Sequence, residues 1–129
     1  MVEKDYFIRT LNTFLQKLSE YISGGTSAEV SEEMIRDFYT ELFQKSRDFF
    51  VESDFNTSIS AFNEDCVCEK AKALADIFYI ETMKSTKEKK VSFAKKSLEM
   101  FRYYEQKSSV FDLSVFNRIN NLTQIIENE

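Results

Sequence analysis

The residues of this sequence that could do chemistry are acidic side chains at helical spacing. Asp37 and Glu41 lie four residues apart, which would place both carboxylates on one face of a helix. A further group of acids lies at Glu29, Glu32 and Glu33. A di-metal site in a helical bundle would also need Glu-x-x-His motifs, and the sequence has no histidine. The commonest general base is missing for the same reason. We therefore expect no enzyme activity, no catalytic residues, no metal and no cofactor.

A pair of cysteines is the second candidate for chemistry. Cys66 and Cys68 are separated by one residue, so in a helix their side chains point to nearly opposite sides, and such a pair rarely forms a disulfide. Two sulfur ligands without histidine complete a zinc site only with carboxylates or a second chain. We interpret both cysteines as small packing residues of a reduced protein, and a redox or metal role is the alternative.

A run of lysines is the sharpest charge feature of the sequence. It comprises Lys87, Lys89, Lys90, Lys95 and Lys96. Tyr103 and Tyr104 follow, and lysines with aromatic side chains can bind single-stranded nucleic acid. Against this, the net charge is −5 and the estimated pI is about 4.9. We expect a solvated helix face and neither nucleic acid nor a membrane as a partner.

Length and composition point to one compact helical unit. The chain has 129 residues, of which 43% are hydrophobic, with 2 glycines and no proline. We expect a single all-helical domain over residues 1–129. The first residues lack the basic and apolar regions of a signal peptide, and no apolar run approaches the roughly 18 residues that span a bilayer. These features predict a soluble, cytoplasmic protein.

Apolar residues at steps of three and four predict an all-α fold with five helices, arranged as a right-handed array or bundle. The expected helices cover residues 6–23, 29–52, 63–84, 87–107 and 112–127. The segment Ala71–Met83 is apolar on almost every side, so it should lie at the centre of the fold. Residues 54–62 lack a helical period and are expected to form a loop, with Phe55, Ile59 and Phe62 folded back onto the core.

Polar residues mark the expected helix starts. Candidate N-terminal caps are Thr26 with Glu29, or Ser31, for the second helix, Asn63 for the third, Ser85 with Glu88 for the fourth, and Asp112 or Ser109 for the fifth. Gly24 and Gly25 should end the first helix, because glycine readily adopts the left-handed conformation that follows a helix end.

The central hairpin resembles a tetratricopeptide repeat (TPR). Leu74-Ala75-x-x-Phe78 is similar to the pattern of the first repeat helix, and Phe93-Ala94-x-x-Ser97-Leu98-Glu99-Met100 is similar to that of the second. About 40 residues are covered. The turn is about three residues longer than in the family, and no proline ends the second helix.

The N-terminus carries a second resemblance. The start D-Y-F-I-R, from Asp5 to Arg9, is similar to that of a family of small, uncharacterised bacterial helical proteins. That resemblance implies a helical fold and no assigned activity. The alternative explanation of Asp5 and Arg9 is an ion pair between residues four apart on a helix.

The TPR resemblance implies a protein-interaction module. It places four residues of the first hairpin helix toward a concave groove suited to a protein or peptide partner: Glu69, Lys72, Asp76 and Tyr79. Some of Phe49, Phe50, Phe55 and Tyr79 could instead form an exposed patch for self-association into a homo-oligomer. The alternative function is a small-molecule or lipid-binding bundle, with an aromatic cavity between the first three helices.

Overall fold

The structure, a computed structural model, describes residues 2–24, 29–62 and 66–128, with side chains from Ile8 onward. Within these ranges the chain forms seven α-helices and no strand, which confirms the all-α class. The helices are α1 Val2–Ser23, α2 Glu32–Phe43, α3 Arg47–Glu52, α4 Phe55–Ser60, α5 Val67–Lys84, α6 Lys87–Lys107 and α7 Leu113–Glu127. In this part of the chain, no helix has the length and apolarity needed to cross a membrane.

Helix α5 lies at the centre of the fold, as its composition predicts. Nearly all its residues from Lys70 to Thr82 are buried, and it contacts α1, α2, α6 and α7. Helix α6 packs most extensively against it, because Ala75 and Ala94 let the two backbones approach closely. At this crossing, Ser97 Oγ donates a hydrogen bond of 2.8 Å to the Ala75 carbonyl. The hairpin is therefore fixed by both packing and a buried polar contact.

A buried carboxylate ties α2 and α3 to α5. Glu81 accepts a hydrogen bond of 2.8 Å from the Tyr39 hydroxyl. Arg47 donates to the same carboxylate from Nε at 2.8 Å and from Nη2 at 2.9 Å. Burial, followed by the charge of Glu81, raises the pKa of Tyr39 well above its ordinary value. The hydrogen bond to Glu81 likewise raises the pKa of Arg47. Three helices thus meet at one charged side chain.

The prediction of one helix over residues 29–52 was wrong. The helix breaks at Gln44, which adopts the left-handed conformation with a φ of 58° while its N–H donates to the Thr40 carbonyl. Ser46 then begins α3, because its hydroxyl accepts a hydrogen bond from the Phe49 N–H at 3.2 Å. The apolar spacing continues across the break, so periodicity could not reveal it.

The prediction of a loop over residues 54–62 was also wrong. Asp54 accepts a hydrogen bond of 2.8 Å from the Thr57 N–H and begins the six-residue helix α4. The expected folding back of the segment is confirmed, since Phe62 is fully buried and Phe55 and Ile59 pack against the core. The two corrections together change five expected helices into the seven that the described residues form.

Lysines from other helices donate to backbone carbonyls at the end of α3 and just beyond α4. Lys96 Nζ donates to the Ser53 carbonyl at 2.8 Å, and Lys70 Nζ donates to the Phe62 carbonyl at 2.7 Å. Helices of six residues are too short to be stable alone, and their last carbonyls lack partners within the helix. Lys96 was expected on a solvated face, which is wrong, because it is partly buried. That burial lowers the pKa of Lys96.

Replacing Lys96 with methionine is expected to lower the free energy of unfolding by about 1 kcal/mol, because it removes hydrogen bonds to carbonyls at the end of α3. Methionine keeps the apolar stem, so packing is largely retained. Urea unfolding followed by circular dichroism measures the effect. Lys95→Met is the matched control, since Lys95 is the exposed neighbour on the same helix. Equal stability of the two variants would contradict a role for Lys96 in holding α3.

The predicted caps have mixed outcomes. Ser31 begins α2 by accepting from the Met34 N–H at 3.1 Å, and Asp112 begins α7 by accepting from the Val115 N–H at 3.2 Å. The capping box at Ser85 is wrong, because Thr86 precedes α6 and makes no side-chain cap hydrogen bond. The turn itself lies where the sequence predicts it, at residues 85–86.

Several sequence-based expectations fall on residues outside the described part of the chain. These are the caps Thr26 and Asn63, the second glycine after α1, Gly25, and the side chain of Asp5. The starts of α1 and α5 also differ from the predicted bounds, since α1 begins at Val2 and α5 at Val67.

Candidate interaction surface

The four residues expected to line a groove do not share one open surface. Glu69 and Lys72 are half-buried, whereas Asp76 is fully buried and Tyr79 is 6% exposed. The prediction of an outward-facing line is therefore wrong for Asp76 and Tyr79. The physical reason is α7, which packs over this face of α5.

Asp76 forms a buried ion pair with Arg118 of α7. The Asp76 Oδ1 and Arg118 Nη1 atoms are 2.7 Å apart, and Arg118 Nη2 lies 3.3 Å from Ser19 Oγ of α1. Asp76 Oδ2 is buried and has no hydrogen-bond partner among the described residues. Burial raises the pKa of Asp76 to about 6, although the charge of Arg118 opposes this. The Asp76–Arg118 pair, together with Ser19, therefore connects α5, α7 and α1 in the interior of the protein.

A second ion pair lies nearer the surface at the start of α7. Lys72 Nζ is 3.0 Å from Asp112 Oδ2, and both side chains are partly exposed. Partial burial acts to raise the pKa of Asp112, but hydrogen bonds from Lys72 and from the Val115 N–H outweigh it and leave that pKa below its ordinary value. Lys72 thus holds the residue that begins α7, and its charge is compensated within the chain.

The most exposed apolar surface in the described residues lies where α6 connects to α7. Four large side chains are exposed there, by 73% for Val110, 71% for Phe111, 62% for Leu113 and 45% for Phe116. The rings of Phe111 and Phe116 are 5.9 Å apart. We call these four residues the α6–α7 patch. All four lie within residues 110–116, which makes this segment the largest concentration of exposed apolar side chains in the described residues.

The exposed patch that the sequence predicts, at Phe49, Phe50, Phe55 and Tyr79, does not form. Phe50 is fully buried and Tyr79 is buried under α7, so the prediction is wrong for both. Phe49 and Phe55 are half-buried and pack against the core. A signal for the observed patch was present, because Leu113 and Phe116 lie off the stripe that α7 buries with Val115.

A pocket of about 410 Å³ adjoins the α6–α7 patch. Glu69, Lys72 and Tyr104 line it together with Val110, which belongs to the patch. The structure therefore places two of the four predicted partner-binding residues beside the exposed apolar surface. Their role in binding a partner stays a prediction.

Charge is sparse along the segment that carries the patch. Residues 108–117 contain one charged side chain, Asp112, and it is paired with Lys72. The whole chain carries a net charge of −5. An apolar surface with little net charge can approach another protein without a large desolvation penalty.

One of the two cysteines, Cys68, lines the pocket beside the patch. Cys66 and Cys68 are both free and half-buried, and Cys66 packs against the core. Burial raises the pKa of the Cys68 thiol. No group of three or more cysteine and acidic residues in the described ranges could hold a metal ion.

The space between α1, α2 and α5 is occupied by aromatic rings. The rings of Phe14 and Phe38 are 5.9 Å apart, and those of Tyr39 and Phe78 are 6.3 Å apart. The aromatic cavity of the alternative function was expected in this space. A cleft of about 710 Å³ lies instead between α5, α6 and α7.

Comparisons with protein families, with curated proteins and with solved structures found no match.

Proposed function

We propose that the protein is a non-catalytic interaction module and that a partner polypeptide covers the α6–α7 patch. The observation that carries the proposal is the exposure of Val110, Phe111, Leu113 and Phe116 in one place. Together they expose apolar surface on the order of 400 Å², which is the size of the largest, often functional, patches on single-chain proteins. Clustered aromatic and aliphatic anchors of this kind form the centre of protein interfaces.

A second copy of this chain is the partner that the charge distribution favours. Each copy carries a net charge of −5, so most faces of two copies repel each other. The patch is the exception, since Asp112 is the one charged side chain within residues 108–117 and it is paired with Lys72. Stable interfaces bury roughly 800 Å² per partner, so the patch would form the core and the adjoining pocket with Glu69 the rim. A two-fold arrangement would place Phe111 of each copy on the patch of the other.

The repeat-like arrangement of the central hairpin is part of this proposal. Its support is the crossing of α5 and α6 at small residues, with Ala75 opposite Ser97 and with Phe78 one turn further along α5. In this interpretation α7 occupies the position of the first helix of a following repeat. Asp76 and Tyr79 are buried against α7, which leaves the α6–α7 patch as the surface for a partner.

Replacing Phe111 and Leu113 together with serine is expected to abolish self-association without unfolding the protein, because both side chains are mostly exposed. Sedimentation equilibrium over a wide concentration range measures the effect. The matched control is Leu98→Ser with Phe55→Ser, which removes the same side-chain types from half-buried positions. The control variant should have a lower free energy of unfolding, but its folded molecules should self-associate as the unmodified protein does.

A photo-crosslinking experiment identifies the partner directly. A benzophenone amino acid at position 111 is expected to capture a polypeptide, whereas the same group at the exposed position 95 is not. A product of twice the 15.2 kDa chain mass indicates a second copy. A crosslinked product with a different polypeptide would support the interaction module but contradict a second copy as the partner. Equal capture at both positions, or none at position 111, would overturn the interaction module.

A further inference from the structure

The cleft between α5, α6 and α7 has the size of a small-molecule site. Its volume is about 710 Å³, within the roughly 300–1,000 Å³ of ligand pockets. It lies at the end of the hairpin where α5 turns into α6, against the C-terminal half of α7. It does not share a lining residue with the α6–α7 patch.

A largely buried tyrosine reaches this cleft. Tyr79 is 6% exposed and lines the cleft, and its hydroxyl accepts a hydrogen bond of 3.1 Å from Asn121 Nδ2. Within the described residues, the Tyr79 O–H has no acceptor for its own proton. A ligand in the cleft that supplies an acceptor can therefore take this hydrogen bond in place of water.

Two cations line the same cleft. Lys87 and Lys90 line the cleft, and neither makes an ion pair with an acid of the described ranges. Among the described residues that line the cleft, Glu88 is the one acid, so these side chains carry a net positive charge on a chain with a net charge of −5. They favour an anion, in contrast to the charge of the chain as a whole.

The remaining surface of the cleft includes apolar side chains. Met83, Val91 and Ile125 come from α5, α6 and α7 respectively. Such a surface packs against a hydrocarbon or an aromatic body, and methionine adapts to its shape.

We propose that this cleft binds a small organic carboxylate with an apolar body. The carboxylate accepts the Tyr79 O–H proton and lies near Lys87 and Lys90, which supply the opposite charge. The apolar body lies on Met83, Val91 and Ile125. The proposal is independent of the interaction module, because the two surfaces have no residue in common.

Isothermal titration of the full chain with decanoate tests the proposal, with decan-1-ol and decyltrimethylammonium as neutral and cationic probes of equal chain length. Decanoate is expected to bind about tenfold or more tightly than decan-1-ol, because hydrogen bonds to charged groups are stronger than neutral ones. All probes are used below the concentrations at which they aggregate.

Variants of the lining separate its three contributions. Tyr79→Phe is expected to weaken decanoate binding about fivefold through one lost hydrogen bond. Lys87→Gln with Lys90→Gln is expected to weaken it about tenfold. Lys89→Gln is the matched control, because Lys89 is exposed on the same helix and lies outside the lining. Thermal melting of each variant confirms that it is folded.

Three results would overturn the proposal: no binding of decanoate, equal affinity for decan-1-ol, or equal effects of the Lys89 and Lys87/Lys90 variants. Filling the cleft with Ile125→Trp is expected to abolish binding in a protein that still melts cooperatively, and unchanged binding would place the ligand elsewhere. The Phe111→Ser/Leu113→Ser protein should bind decanoate with unchanged affinity. That result would show that decanoate binding and self-association can be tested separately, so that one proposal can be wrong while the other holds.

Discussion

Replacing Glu81 with alanine is expected to lower the free energy of unfolding by about 3 kcal/mol, because it leaves buried polar partners without an acceptor. Tyr39 is fully buried, and its hydroxyl donates to Glu81 at 2.8 Å. Arg47 donates two hydrogen bonds to the same carboxylate, and its guanidinium also lies 5.6 Å from the Phe93 ring. The change therefore loosens α2 and α3 from α5 at once. Urea unfolding at neutral pH measures the loss.

A matched control separates burial from charge in this experiment. Glu41→Ala removes a glutamate from an exposed position on α2 and should change the free energy of unfolding by less than about 0.5 kcal/mol. The triple variant Tyr39→Phe, Arg47→Met, Glu81→Leu removes every polar member of the cluster. It should be more stable than Glu81→Ala alone, because apolar replacements leave no unpaired group. A triple variant that is less stable than the single one would contradict this account.

The parts of the fold that depend on local sequence could be predicted. The position of the α5–α6 turn follows from polar residues between two apolar stripes, and the turn lies at residues 85–86. Ser31 and Asp112 begin helices because their side chains accept backbone N–H groups three residues on. The central place of α5 follows from its apolar composition.

The break at Gln44 could not be predicted, since nothing in its residue type requires a left-handed conformation. The same holds for α4, whose six residues begin at Asp54 and are followed by Phe62, the carbonyl of which accepts from Lys70 of α5. That lysine contact is a tertiary one. Short helices of this kind depend on their surroundings more than on their own sequence.

The site was harder to predict than the fold because burial depends on distant partners. Asp76 and Arg118 are 42 residues apart, and no local pattern pairs them. Once α7 packs on α5, the expected groove closes and Leu113 and Phe116 turn to the surface. The exposed surface is thus set by how the last helix packs.

The buried Asp76 is expected to make the protein more stable as the pH falls from 7 toward 4. Its pKa in the folded state is about 6, above the ordinary value of 3.8 that the unfolded chain retains. As the pH rises from 4, the unfolded state therefore loses this proton first, and the folded state becomes relatively less stable until the pH passes about 6. The difference of about two pKa units corresponds to a change on the order of 3 kcal/mol.

Asp76→Asn isolates this effect from the other carboxylates of the chain. The variant keeps an oxygen that can accept from Arg118 but has no proton to lose, so its free energy of unfolding should lack the fall between pH 4 and pH 6. Asp112 acts in the opposite direction, since its lowered pKa stabilises the folded state above its ordinary pKa, but it is present in both proteins and largely cancels in the comparison. Urea unfolding at closely spaced pH values measures both curves. Curves that run parallel from pH 4 to pH 7 would show that Asp76 is ionised in the folded protein throughout. In that case the charge of Arg118, 2.7 Å away, would outweigh the burial of the carboxylate.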